Sequence, residues 1–142
     1  MFILKIKKLN ENAKLPIYAH PGDAGLDLFA LEEATIAVGD RALIKTGISM
    51  EIPDGFVGLI WDKSGLATKN GLKTMAGVVD SGYRGEVIVC LVNLSEQKYI
   101  FNAGDKIAQM IIQKKENIEV LEVTELDQNT TRGADGFGST GK

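Results

Sequence analysis

Apolar side chains in this chain recur mostly at every second position, in short runs that Gly, Pro, Asn or Asp cut off. Successive side chains of an extended strand point to opposite faces, so this period builds half-buried β-strands and argues against long helices. Phe2, Leu4 and Ile6 alternate with Ile3, Lys5 and Lys7 as a first strand. Further strands are predicted over Thr35–Val38, Arg41–Met50, Phe56–Trp61, Lys73–Val79, Glu86–Leu94, Tyr99–Phe101, Lys106–Gln113 and Ile118–Val123. Gly39-Asp40, Pro53-Asp54-Gly55, Asn70-Gly71, Ser81-Gly82 and Asn102-Ala103-Gly104 supply the turns between them. Many short strands at this spacing predict an all-β domain, a sandwich or a jelly-roll barrel. One short helix is expected over Ser64–Asn70, capped by Ser64 and ended by Gly71.

Two segments ask for something beyond the protomer. Glu86–Leu94 is apolar on both faces, and a strand with no polar face needs cover on both sides. A 142-residue chain has little left to provide the second cover, so a subunit interface is expected there. The last sixteen residues, 127–142, hold two apolar side chains, Ala134 and Phe137, and four Gly. Such a segment cannot offset its ordering entropy by burial, so residues 1–126 are expected to form the domain and 127–142 a mobile arm.

Composition narrows the function classes. A formal charge of −3 and a pI near 5.2 exclude a broad phosphate-tracking surface for nucleic acid. Cys90 is the single cysteine, so no intramolecular disulfide and no multi-cysteine zinc cluster can form. No apolar run approaches the roughly 18 residues of a membrane span, and the first residues are charged too early for a signal peptide, so a cytoplasmic chain is expected.

Five segments could carry chemistry. In Gly77–Glu86 the chain leaves an apolar strand, turns, and enters the strand that is apolar on both faces, with Asp80 and Tyr83 at the mouth of the hairpin. A carboxylate beside apolar residues suits a general base, and equally suits a turn that caps itself. Asp62-Lys63-Ser64-Gly65 places a cation, a hydroxyl and a glycine at the helix start, readable as an anion site or as an ordinary capped turn. Asp27, between Leu26 and Leu28, and Gln109, between Ala108 and Met110, are polar residues inside apolar strands. Facing inward they need a partner or ligand, while alternation could also turn them to solvent. The tail from Arg132 to Lys142 contains the letters of two phosphate-loop patterns but lacks the strand before and the helix after that those loops require. Its glycine amides, two hydroxyls, Arg132 and the ring of Phe137 nonetheless suit a phosphate and a base.

These five segments, Ala24–Ala30, Asp62–Ala67, Gly77–Val87, Gly104–Met110 and Arg132–Gly141, resemble in order the five motifs of the trimeric dUTP diphosphatases (dUTPases). The resemblance implies a distorted jelly-roll protomer, a β-barrel-like sandwich of the β-clip kind, and a homotrimer with shared active sites. It implies hydrolysis of dUTP to dUMP and pyrophosphate with Mg²⁺ carried by the triphosphate and water rather than by a protein ligand. By similarity Asp80 is the base for the attacking water, Tyr83 packs on the deoxyribose, and Gly77, Val78, Val79 and Ile88 belong to the uracil hairpin. Lys63, Ser64 and Gly65 are expected on phosphate oxygens, Gln109 on water or phosphate, and Asp27 in the supporting charge network. Arg132, Phe137, Gly138, Ser139 and Thr140 are expected to close over the nucleotide, Phe137 stacking on uracil.

Two positions depart from the pattern. Asp62-Lys63 stands where Pro-Arg is usual, and lysine is a point charge without the guanidinium fork. Ser81-Gly82 stands where acidic residues are common. A dCTP deaminase of the same superfamily is the nearest alternative, but those enzymes carry a glutamate about ten residues beyond Asp80, where this chain has Cys90. A dUTPase-like binding or nucleotide-sensing protein is the other.

Overall fold

In the computed structural model, which describes residues 3–137, left-handed turns repeatedly break the alternating runs into short antiparallel strands. The elements are β1 (Lys5–Lys8), β2 (Leu26–Phe29), β3 (Ala34–Ile36), β4 (Arg41–Lys45), β5 (Ile48–Glu51) and β6 (Phe56–Trp61). The helix α1 (Ser64–Asn70) follows, then β7 (Leu72–Met75), β8 (Val78–Val79), β9 (Ile88–Asn93), β10 (Tyr99–Phe101) and β11 (Lys106–Lys114). They assemble into a four-stranded sheet β2-β11-β6-β8, a three-stranded sheet β4-β9-β7, and the pairs β1-β5 and β10-β3. This is a jelly-roll-like sandwich.

The expected strand over 41–50 is two strands. Gly47 turns the chain at φ 70, where a Cβ would come within 2.9 Å of Ala13 and Leu31. Likewise 73–79 is divided into β7 and β8 by Ala76 (φ 58) and Gly77 (φ 107), and a Cβ on Gly77 would lie 2.8 Å from the Ile60 carbonyl oxygen. Glu86 and Val87 fall outside β9 because they bend across to β5. The Val87 N–H donates to Ile48 O at 2.8 Å, and the Glu86 carboxylate accepts from the Gly47 N–H at 2.9 Å.

The helix has the bounds its sequence predicts, but Ser64 is its first residue rather than its cap. Lys63 takes the N-cap place with no side-chain cap bond, and Gly71 ends the helix at φ 63. Ile118–Val123 forms no strand: Ile118, Val120, Leu121 and Val123 are exposed, and the segment pairs with no strand among the described residues. Regular structure ends at Lys114 among the described residues. Phe2 of the first expected strand lies outside them, as do Gly138, Ser139 and Thr140.

The core runs between the sheets through Leu28, Ile36, Ile44, Leu72, Val89, Leu91, Phe101, Ile107 and Met110, all fully buried. Each such side chain contributes about 1.5–3 kcal/mol by leaving water. Met50 and Met110 belong to this core, while Trp61 and Met75 are exposed. Strand β9 turns Val89, Leu91 and Asn93 inward and leaves Ile88, Cys90 and Val92 on the outer face. There Leu43, Cys90 and Met75 stand in register across the sheet as one apolar row. The protomer therefore covers only one side of the strand that is apolar on both.

Candidate active site

Strand β8 leaves β6 at Gly77, whose carbonyl accepts from the Ile60 N–H at 2.8 Å, and reaches the turn at Asp80 after two residues. The Tyr83 N–H closes this turn on the Asp80 carbonyl at 3.1 Å, and the Arg84 guanidinium braces it on the carbonyls of Ser81 (2.6 Å) and Tyr83 (2.9 Å). The Tyr83 hydroxyl donates to Glu86 O at 2.9 Å, which lays the ring along Gly85, where a Cβ would overlap it. Gly77, Val78, Val79, Asp80, Tyr83 and Ile88 thus line one cleft of about 220 Å³. All six residues that the hairpin contributes to the expected site meet there. Strand β8 ends its sheet, so one edge of Val78–Val79 carries backbone N–H and C=O groups outside the ladder.

The second group gathers at the opposite end of β6. Asp27 on β2 pairs with Gln109 on β11, which pairs with Trp61 on β6. Asp27 faces inward, 2% exposed. Its Oδ1 lies 2.5 Å from Lys63 Nζ and its Oδ2 2.6 Å from Lys106 Nζ. Oδ2 meets Lys106 as an ion pair and has no further donor among the described residues. Burial alone would push the Asp27 carboxyl up; Lys106 and Lys63 together outweigh it and hold the carboxyl below its ordinary range. Lys63 therefore belongs first to Asp27 in this protomer, while Ser64 and Gly65 are exposed beside it at the start of α1.

Lys106 was not among the residues singled out from the sequence. It lies three positions from Gln109, and simple alternation puts an odd separation on opposite faces. A bulge at Ile107 absorbs one residue, so that Lys106 pairs with Phe29 and joins the face of Asp27. No local signal marks that slip.

Asp62 is the other residue whose part only the structure discloses. Its Oδ1 accepts from the Thr74 N–H at 2.6 Å and from the Thr74 hydroxyl at 2.7 Å, and its Oδ2 lies 2.9 Å from Lys73 Nζ. Burial pushes its carboxyl up, but the Thr74 N–H, Lys73 and the Thr74 hydroxyl together bring it below the ordinary range. Its backbone carbonyl accepts from Gln109 Nε2 at 2.8 Å. Gly25 makes room for this amide, since a Cβ there would overlap Gln109 Oε1.

The two groups do not meet within one protomer. Val79 pairs with Gly58, whereas Gln109 pairs with Trp61 three residues further along β6, and Asp27 lies three strand positions away from β8. At about 3.3 Å per residue and about 4.8 Å per strand, Asp80 and Asp27 are separated by roughly 20 Å. Arg132 and Phe137 stand apart from both, exposed in the segment after β11, with Arg132 Nε donating to Asp135 O at 2.9 Å. Gly138, Ser139 and Thr140 lie outside the described residues.

The dUTPase family model matches residues 11–141. A deoxyuridine 5'-triphosphate nucleotidohydrolase of Corynebacterium glutamicum is 49% identical over 142 residues, covering 98% of this chain and 95% of that protein. Among solved structures, a variant of the Staphylococcus bacteriophage 80alpha dUTPase with dUpNHpp superposes with a TM-score of 0.93 at 29% identity, covering all of both chains. A variant dUTPase from phage phi11 of S. aureus, described with a structural Mg(II) ion, gives a TM-score of 0.81 at 30% identity, covering 87% of this chain and 98% of that one.

Proposed function

The chain belongs to the dUTPase family and hydrolyses dUTP to dUMP and pyrophosphate, and we propose that it does so through a water activated by Asp80. Water attacks the α-phosphorus in line. Its proton passes to the Asp80 carboxylate, the bond from the α-phosphorus to the bridging oxygen breaks, and pyrophosphate leaves with that oxygen. The observation that carries this reading is the hairpin cleft, in which a carboxylate, an aromatic ring and an open strand edge converge.

The free edge of Val78–Val79 offers alternating N–H and C=O groups, the pattern that pairs with the edge of uracil. Tyr83, held by its bond to Glu86, presents a flat face to the sugar. A 2'-hydroxyl would meet that ring, so UTP loses packing as well as space. Lys63, Ser64 and Gly65 then receive phosphate oxygens, and Gln109 fixes water or phosphate. Arg132, Phe137, Gly138, Ser139 and Thr140 close over the nucleotide as part of an arm spanning 127–142 on a domain of residues 1–126.

The site is completed by copies of the chain. A separation of roughly 20 Å keeps the Asp80 cleft and the Lys63–Asp27–Lys106 cluster of one protomer from serving a single nucleotide. A homotrimer that brings the cleft of one copy against the cluster of another resolves this. The apolar row of Leu43, Cys90 and Met75 supports such contact by offering it burial.

Mg²⁺ fits this scheme as a passenger of the triphosphate. Both oxygens of Asp27 face lysines and both of Asp62 are engaged, and among the described residues no cluster of three or more His, Cys, Asp or Glu could hold a metal ion. When bound, the ion neutralises phosphate charge. Among the described residues no helix is long and apolar enough to cross a membrane.

The test is a pyrophosphate-release screen over dUTP, dCTP, dTTP and UTP, with and without Mg²⁺. Turnover is expected with dUTP in the presence of Mg²⁺. Ammonia released from dCTP in its place would overturn the reading in favour of a deaminase, which Cys90, standing where those enzymes carry a glutamate, disfavours.

A further inference from the structure

Asp62 joins three elements at once. Its carboxylate is fastened to β7 through the N–H and hydroxyl of Thr74 and through Lys73, while its carbonyl receives the side-chain amide of Gln109 on β11. The residue after it, Lys63, is drawn to Asp27 on β2. The corner between β6 and α1 is thereby tied to both sheets at the point where two site residues depart from it. The tie runs through the Asp62 carboxylate, so a side chain without an acceptor at this position could not make it.

We infer that Asp62 is a positioning residue for Gln109: its carboxylate fixes the corner on β7, and the fixed corner presents the carbonyl that holds the Gln109 amide. The amide is gripped by one of its own N–H groups and has Gly25 against its oxygen, which leaves it one orientation. An amide held in advance avoids reorganisation when water or phosphate arrives, and displacement of about 1 Å can cost up to a hundredfold in rate. This inference rests on the reading that Gln109 reaches the water or the phosphate.

The test is a double-mutant cycle in the full-length protein, reading kcat and KM for dUTP with Mg²⁺ alongside thermal stability. Asp62→Ala is expected to lower kcat about tenfold and to change KM less than about twofold. Asp62→Asn, which keeps an acceptor for Thr74, is expected to restore most of the rate. In a Gln109→Ala background, Asp62→Ala is expected to lower the melting temperature as before yet to cost no further kcat.

Full multiplication of the two single effects on kcat would overturn the inference and leave the Gln109 reading intact. A Gln109→Ala variant as fast as the parent would remove both. Should Asp62→Ala fail to fold, Thr74→Val deletes only the hydroxyl bond. Its smaller loss of kcat should vanish in the Gln109→Ala background, and persistence of the loss there would count against Asp62.

Discussion

Lys106 Nζ lies 2.6 Å from Oδ2 of Asp27, a carboxylate only 2% exposed whose other oxygen meets Lys63. Two ammonium groups thus share one buried carboxylate, and the cluster keeps a net positive charge at the face where the triphosphate is proposed to lie. The lysines reach water and the carboxylate does not, so the geometry depends mainly on the acid.

Asp27→Asn should test this directly. Removing one partner of a buried pair costs 3–5 kcal/mol where all the charges are buried, but both lysines here are partly hydrated, which reduces the expected loss to about 1–2 kcal/mol. Urea unfolding at fixed protein concentration measures it. A variant as stable as the parent would mean that the cluster contributes to binding alone.

Acid should weaken the fold through the same groups. Asp27 and Asp62 both have carboxyls lowered on folding, so each stabilises the protein fully above the ordinary carboxylate pKa near 3.9. That contribution disappears as pH falls from about 5 through the lowered values. Urea midpoints compared between pH 6 and pH 3 should fall more steeply for the parent than for Asp27→Asn combined with Asp62→Asn. Equal slopes would show that neither carboxylate is linked to folding.

Asp80→Asn should keep dUTP binding and lose turnover by roughly 10²–10⁴-fold, the range over which a positioned base acts. Isothermal titration and single-turnover hydrolysis separate the two effects. An undiminished rate would exclude Asp80 as the base.

If the half-sites belong to different copies, two inactive variants should repair each other. Asp80→Asn and Lys63→Ala, unfolded and refolded together, are expected to regain activity that neither shows alone, because some assembled sites then hold both native residues. A mixture no better than the sum of its parts would contradict the shared site.

Deleting 127–142 should leave the assembly intact and abolish most of the activity. Sedimentation and the pyrophosphate assay report the two outcomes independently. Full activity in the shortened chain would remove the arm from the mechanism.

Local rules reached far along this chain. Alternation located β6, β10 and β11, and the bounds of α1 followed from its flanking residues, since strands and turns answer to neighbours a few positions away. The Asp80–Tyr83 hairpin was legible for the same reason: its residues lie within one continuous segment. Breaks at Gly47 and Gly77 were harder to see, because a single left-handed residue interrupts a run without changing its hydrophobic pattern. Ile118–Val123 has the letters of a strand but pairs with none among the described residues.

By itself the order of residues pointed to a β-sandwich and marked the segments proposed to carry its chemistry. Only the tertiary structure decided that Lys106 faces Asp27, that Asp62 grips Gln109, and that the Asp80 cleft lies far from the lysine cluster. Those facts depend on cross-strand register and on one bulge, set by contacts between residues dozens of positions apart, and a period-two pattern carries no record of which strand becomes the neighbour.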